Sequence, residues 1–133
     1  MIIEIEPTSE TAIYMQIMYQ IKYAIVRGDL KAVGNLPSVR MLASDLGVNM
    51  HTINKAYNLL VDEAILIKSQ KGYMIQEESL RQANQELKEE MKKRLETIIV
   101  DAYIHQVPEK EIDSWAQEIM DKLKKGEMSD VDI

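Results

Sequence analysis

Cysteine and phenylalanine are both missing from this chain of 133 residues. The first absence excludes a disulfide framework and thiolate metal sites, and fits a reducing, cytoplasmic setting. The second leaves the core to aliphatic side chains and to nine methionines, whose unbranched thioethers fill irregular gaps. Only three prolines and five glycines interrupt the chain, so long stretches are free to be helical. No apolar run approaches the roughly 20 residues needed to cross a bilayer, so no membrane association is expected. The opening MIIEIEP is acidic and broken by Pro7, and lacks the basic start and apolar centre of a signal peptide.

Positive charge is also scarce: the net charge is -6. It is unevenly spread. Residues 1 to 76 hold seven basic and seven acidic side chains, whereas residues 77 to 133 hold nine and fifteen. A neutral front half is thus joined to an acidic back half.

Catalytic signatures are absent as well. There is no GxGxxG, GxxxxGK[ST] or GxSxG. The two histidines, His51 and His105, have no carboxylate or second histidine at a ligand-like spacing. Glu89 and Glu90 fall on the polar side of a helix, where a solvated face accounts for them. No enzyme, metal or cofactor is expected, and the function is one of binding.

What is present is helical periodicity. Residues 11 to 27 place Ile17, Ile21 and Ala24/Ile25 at three- and four-residue steps, with Tyr14 and Met18 beside them. Thr8 or Ser9 is the expected cap and Gly28 the stop. GDLKAVGNLP then reads as a loop. In SVRMLASDLG, Ser38 is a natural N-cap, Val39, Leu42, Ala43 and Leu46 form an apolar face, and Gly47 ends the helix. VNMHTINKAYNLLVDEA restarts with Asn49 as its cap and Ile53, Ala56, Tyr57 and Leu60 inward. Two short helices about a glycine turn are a helix-turn-helix, whose second helix can enter a DNA major groove. ILIKS and YMIQ, on either side of QKG, read as a hairpin. Three helices and such a hairpin make a winged helix.

From Glu77 the pattern predicts one long helix with Leu80, Leu87, Met91, Leu95, Ile98 and Ala102 in a stripe. Pro108 starts another, with Ile112, Trp115/Ala116, Ile119 and Leu123 inward. Two helices cannot bury both stripes alone, which predicts a homodimer. The acidic tail EMSDVDI is expected to fray.

Once the apolar face of the second helix is set, Asn49, Met50, His51, Thr52, Asn54 and Lys55 remain outside. Ser38 and the amides beside it can point at a phosphate. Arg40, in the first turn, can fork onto a phosphate or a guanine edge. Such neutral hydrogen-bonding groups suit base-edge reading better than nonspecific clamping.

Over IYMQIMYQIKYAIVRGDL, LPSVRMLASDLGVN, TINKAYNLL and KGYMI, a little over half of the chain, the sequence resembles the GntR transcription regulators, and their short YtrA-type branch. The resemblance implies a mainly α protein. Residues 1 to 76 would form a winged helix-turn-helix, and residues 77 to 133 a two-helix segment for dimerisation and effector binding. It implies a homodimeric, effector-responsive repressor, often of transporter operons, on an inverted-repeat DNA operator. Arg40 falls on the motif's DNA-contacting arginine, Thr52 on its recognition-helix threonine, Asn49 on its helix start, and Lys71 and Gly72 on the wing tip. Three positions depart from the pattern. Met50 stands where arginine is usual, Ala64 replaces a common glycine, and QKGYMI lacks the first glycine of GxGTFV. The effector is a small molecule of unknown identity, with Tyr103, His105 and Trp115 the candidates to line its site. The competing expectation is a winged helix that has lost DNA affinity and serves as a protein-interaction module.

Overall fold

The computed structural model describes residues 3–32 and 34–126, and the tail from residue 127 lies outside the described residues. Helix α1 spans Ile13–Arg27. Its cap is not Thr8 or Ser9: Ala12 occupies the N-cap and makes no side-chain capping bond. Both hydroxyls act earlier. The Thr8 hydroxyl donates to the Glu6 carboxylate at 2.6 Å, and the Ser9 oxygen accepts from the Thr11 amide at 3.1 Å. The Thr8 bonds hold the Glu6 carboxyl below its ordinary pKa.

The segment before α1 is pinned by two buried glutamines. Gln20 exchanges a pair of hydrogen bonds with the Glu4 backbone, at 2.9 and 2.7 Å. Gln16 accepts from the Glu6 amide at 2.9 Å and donates to the Glu6 and Thr11 carbonyls at 3.0 and 2.8 Å. A side-chain amide offers both a donor and an acceptor, so it can satisfy an extended backbone that has no strand partner. Ile3 is thereby delivered into the core.

Helices α2 (Val39–Leu46) and α3 (Met50–Asp62) follow the sequence expectation. Ser38 and Asn49 are their N-caps, and Gly47 takes the left-handed conformation, φ 66°, that the tight turn between them needs. Ile53, Ala56, Tyr57 and Leu60 are fully buried, and α3 packs on both α1 and α2. Lys22 of α1 pairs with Glu63 beyond the end of α3 at 3.1 Å.

Strands β1 (Leu66–Ser69) and β2 (Gly72–Ile75) form an antiparallel hairpin with Leu66 opposite Ile75 and Ser69 opposite Gly72. The connection is therefore Gln70 and Lys71 alone. Gly72 belongs to the strand, at φ 108°, a conformation costly for any residue with a Cβ. The loop before α2 is more regular than its glycines suggest. Asn35 bridges Met74, the Leu36 amide donates to the Tyr73 carbonyl at 3.0 Å, and the Ile75 amide to the Gly34 carbonyl at 2.9 Å. Ala64, just before the wing, is held at φ 62° where glycine would be unstrained.

The second half departs from the expected continuous helix. Glu78–Leu80 form a 3-10 turn, and α4 runs from Gln85 to Ile104, capped by Asn84, whose side chain accepts from the Leu87 amide at 2.8 Å. Leu80 is thus off the stripe and exposed. A short polar side chain that can cap ends a helix as effectively as glycine or proline. Gln106, at φ 62°, makes the turn into α5 (Glu109–Lys125). The stripes are not inward within this chain. Met91, Leu95, Ile98, Trp115 and Ile119 are all exposed, and among described residues past 76 only Ala102 is buried. Helix α5 leans on α1.

Candidate nucleic-acid interface

The outward side of α2 and α3 gathers most of the residues singled out in the sequence. Ser38 accepts from the Met41 amide at 3.1 Å, and Asn49 from the His51 amide at 2.8 Å. Each cap thus spends an oxygen on its own helix, leaving the Ser38 hydroxyl proton and the Asn49 amide nitrogen for a ligand. Arg40, Met50 and His51 are exposed, Thr52 and Asn54 are half-buried, and Lys55 is exposed. Arg40 has no hydrogen bond or ion pair among the described residues. Between Leu36 and Val61, Asp45 is the sole acidic residue, so the face is mildly positive despite the net charge of the chain.

Four contacts hold this surface in shape. The Tyr57 hydroxyl donates to the Pro37 carbonyl at 2.8 Å, tying α3 to the start of α2. The Tyr73 hydroxyl donates to the Asn58 side chain at 3.2 Å, and the Tyr57 and Tyr73 rings meet edge to face at 4.7 Å, which fixes the wing to α3. Lys55 carries its ammonium 4.0 Å from the centre of the Tyr14 ring on α1. At the wing tip, the Lys71 amide donates to the Ser69 hydroxyl at 3.2 Å and leaves the side chain exposed beside Gly72.

Sequence reasoning missed Tyr14, Asn58 and Lys68, the last lying 5.7 Å over the Tyr73 ring. Lys68 shares a face of β1 with the buried Leu66 and stands opposite Tyr73, so strand alternation alone did not mark it as a surface cation; Tyr14 read only as a packing residue. Tyr103, His105 and Trp115, by contrast, are exposed and share no ring contact or side-chain hydrogen bond among the described residues. The same residues hold no group of three or more His, Asp or Glu suited to a metal ion, and no helix long and apolar enough to cross a membrane.

The surface places a polar second helix, a capped first helix and a cationic hairpin in the arrangement of DNA-binding winged helices. Comparison with known proteins agrees. Residues 13–75 match the family described as bacterial regulatory proteins, gntR family. The chain is 33% identical to the HTH-type transcriptional repressor YtrA of Bacillus subtilis over 96% of its own length and 99% of that protein's. A transcriptional antiterminator from Listeria monocytogenes superposes with a TM-score of 0.88, at 28% identity over 97% of both chains. YtrA from Sulfolobus acidocaldarius, a GntR-family transcription factor, superposes at 0.62 with 42% identity, covering 78% of this chain and 99% of that one. These likenesses run through the second half as well as the winged helix, and the chain belongs to the gntR family of bacterial transcription regulators, in its YtrA-type branch.

Proposed function

We propose that the chain is a homodimeric, effector-responsive repressor that holds an inverted-repeat operator, acts in the cytoplasm and controls a transporter operon. Residues 1 to 76 form the DNA-binding unit and residues 77 to 133 the dimerisation unit. Two α3 helices enter successive major grooves. Ser38, Arg40 and Asn49 anchor the backbone side, Met50, His51, Thr52, Asn54 and Lys55 face base edges and nearby phosphates, and Lys71 and Gly72 bring the wing to the minor groove. The observation that carries this reading is the α2–α3 face itself. It is exposed and nearly free of acids, and it lies between two side-chain-capped helix starts.

The exposed stripes support dimerisation. Met91, Leu95 and Ile98 are each more than half exposed along one side of α4, and an uncovered face of that kind is stabilised by a second copy. The effector has a natural place where the two halves meet. A cleft of about 210 Å³ is walled by Tyr14, Met18 and Tyr19 of α1, Leu59 of α3 and Arg94 of α4. A ligand wedged there touches both the reading unit and the arm, so it can favour one arrangement over the other, as coupling requires.

The test is equilibrium binding of the full chain to the DNA upstream of its own gene over a series of salt concentrations. Affinity that falls linearly on a log-log plot, with preference over an unrelated duplex, supports the repressor. Absence of any preference at low salt favours a winged helix that binds a protein partner.

A further inference from the structure

Lys55 is the only lysine or arginine of α3. It would ordinarily be a flexible point charge on a four-carbon stem. Here its ammonium rests 4.0 Å from the Tyr14 ring centre, nearer than Lys22 to Tyr19 at 5.4 Å or Lys68 to Tyr73 at 5.7 Å. Tyr14 is itself held: it is half-buried in α1 and packs against the core. Its hydroxyl has no hydrogen bond among the described residues, so its polar contact there is through the ring face.

We propose that Tyr14 is a positioning residue for operator binding, its ring holding the Lys55 ammonium in place for one DNA phosphate. The inference rests on the reading above that Lys55 lies in the DNA interface. The chemistry is favourable on both sides of the charge. An aromatic face attracts the cation electrostatically while leaving N–H donors directed away from the ring free for a phosphate oxygen. A side chain ordered before the DNA arrives loses less rotamer freedom on binding, which raises affinity without a new contact. The arrangement also makes the only strong cation of α3 dependent on α1, the helix on which α5 leans. A shift of α1 against α3 would draw the ring from beneath the ammonium.

The experiment uses the full chain and a duplex that it selects from a randomised library; failure to select any duplex is failure of the repressor reading itself. Affinity and its salt dependence are measured for Tyr14→Phe, Tyr14→Met, Lys55→Met and the double variant Tyr14→Met/Lys55→Met. Tyr14→Phe keeps the ring and binds like the parent. Tyr14→Met keeps the apolar bulk without the ring and weakens binding about two- to fivefold, measured at a temperature where parent and variant are both fully folded. Lys55→Met flattens the salt slope by about one unit, and in that background Tyr14→Met costs nothing further. A Tyr14→Met effect that persists in the Lys55→Met background overturns the positioning role while leaving the repressor reading intact. So does a Tyr14→Phe loss as large as that of Tyr14→Met, which would assign the hydroxyl instead. A Lys55→Met variant with unchanged affinity and slope removes Lys55 from the interface, and the proposal with it.

Discussion

The hydroxyl of Tyr57 donates to the carbonyl of Pro37 at 2.8 Å, joining the middle of α3 to the residue two positions before α2. The ring is fully buried, and that burial, with Tyr73 beside it, pushes the phenol well above the usual tyrosine range. The folded state therefore keeps a proton that the unfolded chain releases near pH 10.0. Stability is full below that pH and is lost as pH rises from there towards the folded value. Urea unfolding between about pH 9 and pH 11 will show a steeper loss in the parent than in Tyr57→Phe. At neutral pH the variant will be less stable by about 1 kcal/mol, because the half-buried Pro37 carbonyl loses its donor.

Ala64 is strained. Its φ of 62° lies in the left-handed region, where a Cβ crowds the following carbonyl. Ala64→Gly relieves that strain, and the added freedom of the unfolded chain offsets part of the gain. The expected result is a stabilisation of about 0.5 to 1 kcal/mol, read from the denaturation midpoint at unchanged m-value. A loss of stability would mean that the surrounding turn does not tolerate the glycine.

Met50 is 43% exposed at the first turn of α3, beside Asn49. Met50→Arg places a guanidinium where this chain has a thioether. If the position faces the DNA backbone, the salt dependence of binding steepens by about one unit. An unchanged slope assigns position 50 to a base edge or to solvent.

The arm carries its stripe uncovered, with Leu95 53% and Ile98 56% exposed. Leu95→Glu combined with Ile98→Glu puts two carboxylates on that face without touching the buried core. Sedimentation will show a dimer for the parent and a monomer for the variant, with operator affinity lowered by about a hundredfold as the second reading head is lost. A parent chain that sediments as a monomer at the same concentration contradicts the dimer.

Much of the winged helix was legible because local signals agreed with one another. Ser38, Gly47 and Asn49 mark helix ends by their own hydrogen-bonding and backbone chemistry, and Ile53, Ala56, Tyr57 and Leu60 repeat at the helical period. Gln16 and Gln20 were not legible, since a buried glutamine on a helix looks like a surface one until the backbone segment it bonds is placed. Nor was the break before α4: Asn84 caps it from within a run of polar residues that have equally good uses in solvent. The stripes of α4 and α5 gave their amphipathic character but not what covers them, because periodicity reports a face and not its partner. At the site, residue types picked out the exposed set on α2 and α3. The Tyr14 ring beneath Lys55 depends on how α1 crosses α3, which no local pattern encodes.

The most direct test is the affinity of Arg40→Ala for DNA that the parent chain binds selectively. Arg40 stands exposed in the first turn of α2, without an ion pair among the described residues, so its removal spares the fold. Loss of a forked contact to phosphate or guanine predicts a fall of about ten- to a hundredfold, with thermal stability unchanged. Affinity equal to that of the parent would contradict the assignment of the α2–α3 face to DNA.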